Sequence, residues 1–184
     1  MNAIPTDIPD VFILEPKVFA DDRGAFFESF NAEVFRKATG FEGVFVQDNQ
    51  STSRRHVLRG LHFQDPRPQG KLIRVVGGAI FDVAVDIRRD SPAFGRWVGV
   101  ELTADNRRQL WVPPGLAHGF LTLSDTADVL YKATDFYAPG CEGSIRWDDP
   151  TLAIRWPLTA PPILSPKDAA APPLGDLIGH ADKA

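Results

Sequence analysis

The stretch Phe81-Asp82-Val83-Ala84-Val85-Asp86-Ile87 decides the fold class. Large apolar residues alternate with small or acidic ones, which is the period of a β-strand. Phe81, Val83, Val85 and Ile87 share one face; Asp82, Ala84 and Asp86 share the other. A strand packed on one face, with small and acidic groups on the other, suits a barrel with a usable interior.

Working outward, similar short runs occur on both sides. Strands are expected over Val44 to Gln50, Val57 to Phe63, Leu72 to Val76, Trp97 to Leu102, Gln109 to Val112, Phe120 to Leu123 and Val129 to Thr134. Turn residues divide them: Asp65-Pro66, Gly77-Gly78, Ser91-Pro92, Pro113-Pro114-Gly115 and Pro139-Gly140. Many short strands with regular turns read as an all-β sandwich or barrel. Helical signal is confined to Asn31 to Thr39, with Asn31 as N-cap and Gly40 at the end, and to a short piece near Asp168 to Ala171. The proline- and alanine-rich tail from about 157 is expected to be peripheral, with loosely ordered last residues and a solvated His180.

The 184 residues fit one domain, 1–184, long enough to bury a sizeable core. Hydrophobic residues at 43% and charged residues at 24% are ordinary globular usage, against a disordered chain. A net charge of -4 argues against a general nucleic-acid binder, although a local basic cluster can still hold one phosphorylated ligand. Cys141 is the lone cysteine, so neither an internal disulfide nor a thiolate metal cage is available. Met1 to Glu15 lacks a basic segment followed by an apolar run, and no apolar stretch approaches the roughly 20 residues of a membrane span. The expected location is the cytoplasm, with no membrane partner.

Ionisable side chains fall within the strand-like runs. Arg59 and His62 follow Val57-Leu58, Lys71 opens Leu72 to Val76, His118 follows Pro113 to Ala117, and Tyr131 lies in Val129 to Lys132. An interior lined by His, Lys, Arg and Tyr can do acid–base work on an anionic substrate.

Several segments occur in a fixed order: Asp22-Arg23-Gly24-Ala25-Phe26-Phe27-Glu28, Gln47-Asp48-Asn49, Leu58-Arg59-Gly60-Leu61-His62-Phe63-Gln64 and Gln69-Gly70-Lys71-Leu72. The Phe81 strand follows, then Pro113-Pro114-Gly115-Leu116-Ala117-His118-Gly119-Phe120, Trp147-Asp148-Asp149-Pro150 and Ser165-Pro166-Lys167-Asp168. From about Val11 to Asp168 the chain resembles the dTDP-4-dehydrorhamnose 3,5-epimerase family. The resemblance implies an all-β, cupin-like double-stranded β-helix (jelly-roll) barrel with short peripheral helices, working as a homodimer without a cofactor. It implies conversion of dTDP-4-dehydro-6-deoxy-D-glucose to dTDP-4-dehydro-L-rhamnose, with inversion at C3 and C5.

By the same resemblance His62 is the base, Asp168 its orienting partner (with Asp82 as the alternative), Tyr131 the acid and Lys71 the cation near the developing enolate. Arg59 and His118 assist there or hold the diphosphate. Arg23, Phe26, Glu28, Gln47, Asn49, Glu142 and Lys167 match nucleotide-contacting positions, and the Arg23–Glu28 segment is expected to serve a neighbouring subunit. Two features depart from simple expectation. Arg59 and His62 are three apart and would point to opposite faces of an ideal strand, so Gly60 is expected to open a bulge. His56 stands where the family more often has glycine.

Other readings compete. A metal-dependent cupin would draw on His62 and His118, but no His-x-His pair is present. A non-catalytic sugar-nucleotide binder would not need His62 and Tyr131 together. A single-site epimerase of a related dTDP-4-keto-6-deoxy sugar could use the same acid and base. Asp148-Asp149-Pro150 reads as a turn, and Trp97, Trp111, Trp147 and Trp156 as core or interface.

Overall fold

The computed structural model of the chain describes residues 1–179; His180 lies outside them. Thirteen strands and three helices follow in order: β1 (Asn2–Pro5), β2 (Phe12–Glu15), β3 (Val18–Asp21), β4 (Gly24–Phe27), α1 (Ala32–Thr39), β5 (Gln47–Arg54), β6 (Leu58–Gln64), β7 (Lys71–Gly77), β8 (Ala79–Asp86), β9 (Trp97–Thr103), β10 (Gln109–Val112), β11 (Leu116–Thr122), β12 (Thr126–Ala133), β13 (Glu142–Ser144), α2 (Pro166–Ala169) and α3 (Leu174–Gly179). Six strands form one sheet in the order β1-β2-β10-β7-β12-β5, and five form a second in the order β13-β6-β11-β8-β9. β3 and β4 make a separate hairpin. The strand periodicity led to the expectation of an all-β fold, and the family resemblance to the cupin-like form of it that is found here.

The two sheets face each other across one apolar cluster. Ile73, Val75, Leu110, Val112 and Val129 enter it from the six-stranded sheet; Ile80, Ala84, Val100, Leu102 and Phe120 enter from the other. Burying each large aliphatic side chain contributes about 1.5–3 kcal/mol. The outer faces carry their own cover. Phe35 of α1 packs with Leu14, Leu72 and Trp111 on the six-stranded sheet. Val83, Val85 and Leu121 pack with Leu152, Trp156 and Leu174 on the five-stranded sheet. The alternation read from Phe81 to Asp86 therefore holds. Ala84 faces the inter-sheet cluster, and Val83 and Val85 face the C-terminal segments.

Local signals explain the peripheral elements. The Asn31 side chain accepts from the Glu33 and Val34 N–H groups at the start of α1, and Gly40 closes the helix at φ 73°. Pro166 opens α2 at a position where the missing N–H goes unneeded, with Ser165 as N-cap. His56 adopts φ 67° in the turn between β5 and β6, a left-handed conformation that favours glycine, so the turn is kept at some backbone strain. Asp149 is buried and accepts from the N–H groups of Thr151, Leu152 and Leu174, a structural turn as expected. Trp111 and Trp156 lie in the core clusters, and Trp97 and Trp147 pack partly buried beside the second.

Candidate active site

Inner-face positions of both sheets converge at one region of the gap. On the six-stranded side, Lys71 shares its inner row with Ile73 and Val75, and Tyr131 pairs with Asn49 on β5 and Ile73 on β7. Gln47 and Asn49 occupy the half-buried positions of β5, and the Gln47 amide donates to Asn49 Oδ1 at 3.0 Å. On the five-stranded side, His62 pairs directly with His118 on β11 and with Ser144 on β13.

The expected bulge is present. His118 pairs with His62 and Phe120 with Arg59, so three steps on β6 oppose two on β11. Gly60 has φ 109°, and a Cβ there would lie 2.7 Å from the His118 carbonyl oxygen and 2.8 Å from Gly119 Cα. Only glycine fits this close approach. The extra residue brings Arg59 and His62 to the same side of the strand. Arg59 Nε donates to Ser53 Oγ at 3.0 Å.

The tail supplies the partner of His62. His62 Nε2 and Asp168 Oδ1 are 2.5 Å apart. Ser165 Oγ donates to Asp168 Oδ2 at 2.9 Å and accepts from the Asp168 N–H at 3.0 Å. The N-cap of α2 thus also fixes the carboxylate. Burial pushes Asp168 up, but the hydrogen bond and charge of His62, the Ser165 hydroxyl and the Gly60 N–H hold it below the ordinary carboxylate range. Between the two candidates for orienting His62, the geometry selects Asp168. Asp82 instead accepts from His118 Nε2 at 2.8 Å.

The remaining groups are linked by charge. Burial lowers Lys71 from 10.5 to about 8, opposed by Asp82 and Glu142. Burial raises Tyr131, with Glu142 adding to the rise and Arg59 opposing it. Glu142 accepts from Lys167 Nζ at 2.5 Å and from the Tyr137 hydroxyl at 3.0 Å. Burial raises Glu142, yet Lys167, Tyr137 and the charge of His62 leave it below its ordinary value. Among the described residues no three His, Cys, Asp or Glu side chains cluster as metal ligands.

Arg23, Phe26 and Glu28 stand apart from this set. Arg23 and Phe26 lie on or beside the β3–β4 hairpin, Phe26 is 73% exposed, and Arg23 pairs with Asp21. Glu28 accepts from Asn31 Nδ2 at 3.1 Å next to α1. Within one chain the three are not on the inner rows. Sequence reasoning overlooked Tyr137 and Ser165. Tyr137 presents a half-exposed ring beside Glu142, and its N–H donates to Gln47. Its signal was the aromatic pair Phe136-Tyr137 before Pro139-Gly140.

Fold and site together define a cupin-like β-protein with a paired histidine–carboxylate and an opposed tyrosine, the outline of an acid–base enzyme. The family model described as dTDP-4-dehydrorhamnose 3,5-epimerase matches residues 5–176. The chain belongs to this family. A dTDP-4-dehydrorhamnose 3,5-epimerase of Salmonella typhimurium is 60% identical over 173 residues, 94% of each chain. The solved dTDP-6-deoxy-D-glucose-3,5-epimerase of Legionella pneumophila, in complex with dTDP-4-keto-L-rhamnose, is 54% identical with a TM-score of 0.92, covering 95% of this chain and 93% of that one. A 3'-monoepimerase of Streptomyces bikiniensis, in complex with dTDP-quinovose, is 38% identical with a TM-score of 0.89, covering 97% and 91%.

Proposed function

We propose that this chain epimerises dTDP-4-dehydro-6-deoxy-D-glucose at C3 and C5, yielding dTDP-4-dehydro-L-rhamnose. The 2.5 Å pairing of His62 with Asp168 on the inner face carries the reading. C3 and C5 both flank the C4 ketone, so their protons are acidified by the same carbonyl. His62 removes the proton, and Asp168 orients the ring and stabilises the imidazolium. The electron pair moves onto the ketone oxygen, where the Lys71 ammonium and His118 stabilise it. Tyr131 returns a proton to the opposite face of the carbon.

The sheets supply the stereochemistry. His62 projects from the five-stranded sheet and Tyr131 from the six-stranded sheet. A sugar ring between them meets the base on one face and the acid on the other, which is what inversion requires. Burial keeps Tyr131 protonated, as an acid must be. Carbon acidity from the ketone and return of the same number of protons leave no net oxidation, so the step calls for no cofactor.

Arg59, Gln47, Asn49, Glu142 and Lys167 hold the dTDP portion, since they combine cations with amide and carboxylate partners at the edges of the gap. Arg23, Phe26 and Glu28 reach a neighbouring copy's gap in a homodimer of single-domain, cytoplasmic subunits. Their exposure in one chain, apart from its own inner rows, supports that reading. A single-site epimerase remains the second reading, favoured by the 3'-monoepimerase neighbour of the same fold. Proton NMR of the sugar after incubation separates the readings. Inversion at both carbons is expected; inversion at one alone assigns the chain to the single-site class, and an unchanged sugar rejects both.

A further inference from the structure

Strand β8 carries a buried carboxylate that the proposed reaction leaves without a role. Asp82 is fully enclosed. Its Oδ1 accepts from His118 Nε2, while Oδ2 is buried with no hydrogen-bond partner among the described residues. Its cross-strand partners are Phe120 and Val100, both apolar. Packing alone would favour another apolar residue in this row. A buried oxygen left unpaired is costly, and such groups persist where they serve a site.

Asp82 shares the inner row of β8 with Ile80 and Ala84, and Lys71 shares the inner row of β7 with Ile73 and Val75, so the two stand on the facing sides of the gap between the sheets. Two carboxylates oppose the burial of Lys71, Asp82 from β8 and Glu142 from β13. His62 and Arg59 from β6, His118 from β11, Tyr131 from β12 and Asp168 from α2, bonded to His62, also face this region. Glu142 is already bonded to Lys167 and Tyr137. Asp82 has only the imidazole, so much of its charge is left to act on Lys71.

We infer that Asp82 is a positioning residue: it orients His118 through Oδ1 and, through its unpaired charge, keeps Lys71 cationic where the ketone oxygen becomes an anion. This rests on the proposed epimerase reaction and adds a residue that acts through Lys71 and His118 without touching the sugar.

Asp82→Asn keeps the shape and removes the charge. Trace acetylation of lysine amines with isotopically labelled acetic anhydride, read peptide by peptide against pH, follows Lys71 with no substrate present. In the native protein Lys71 is expected to titrate near about 8. In Asp82→Asn it falls by about one further pH unit. The alkaline limb of kcat moves down with it, and kcat at pH 7 drops about twofold, as the protonated fraction of Lys71 falls from about nine-tenths to about one-half, while KM changes little. Asp82→Ser, measured in parallel, covers misfolding of the amide variant. An unchanged Lys71 titration in either folded variant overturns the inference, whatever happens to kcat. Loss of a cooperative melt in both variants also overturns it, because the carboxylate would then be structural. The amine titration needs no turnover, so a native protein inactive on the sugar would reject the reaction and still leave the Asp82–Lys71 link decided.

Discussion

Lys71 faces opposing demands. In the proposed reaction its ammonium must be charged to stabilise an enolate, yet burial lowers it to about 8. The unfolded chain then holds more protons than the folded one between about 8 and 10.5. Stability should therefore rise with pH across that window, and the full penalty should apply below it. Lys71→Met is expected to stabilise the fold by about 1–3 kcal/mol at neutral pH while abolishing turnover. Urea unfolding checks this, and a destabilised variant would refute it. Asp168 carries the opposite sign. Its depressed value stabilises the fold above the unfolded carboxylate range, and that contribution is lost as pH falls through the folded value. Asp168→Asn should lower kcat by about 10²- to 10⁴-fold, because the ring loses both its orientation and its counter-charge. Steady-state rates at neutral pH decide this.

At the scale of elements, the β6 bulge and the α2 cap align the groups proposed for catalysis. Gly60→Ala would push a Cβ within 2.7 Å of the His118 carbonyl at a φ of 109°. A loss of several kcal/mol in thermal unfolding is expected, with activity lost even where some fold remains. Ser165→Ala removes both the α2 cap and a hydrogen bond to Asp168. It should cost about 1 kcal/mol of stability and reduce kcat with KM nearly unchanged, a split that steady-state kinetics reads directly.

These elements were unevenly legible. The Phe81 strand and α1 were readable because alternation and caps are local signals. β5 was expected over Val44 to Gln50 but runs Gln47–Arg54. Its residues are all polar, so no apolar period marks them; eight registered pairs with β12 define the strand instead. β11 begins at Leu116, ahead of the expected Phe120, because glycines inside Gly115 to Gly119 read as a loop while pairing with β8 carries the strand through them. The short strands β1 to β4 escaped notice, having four residues each. The family resemblance named Asp168 as the partner of His62, with Asp82 as the alternative; the fold brings Asp168 to His62 across 106 positions and gives Asp82 to His118.

The whole molecule raises the question of the exposed hairpin. Val18, Phe19 and Phe26 lie on it, all substantially exposed. If Arg23 serves a neighbouring copy, Arg23→Ala and His62→Ala should complement each other. Co-refolded chains would regain up to about a quarter of native activity, since half the dimers are mixed and each holds one intact site. No recovery would place Arg23 in its own subunit or remove it from the site.

The most direct test of the acid–base assignment is turnover of dTDP-4-dehydro-6-deoxy-D-glucose in deuterated water, followed by NMR and mass. Deuterium at both C3 and C5 is expected with the native protein, none with His62→Ala, and strongly reduced inversion with Tyr131→Phe. Deuterium entering both positions in His62→Ala at the native rate would contradict the assignment of His62 as the base.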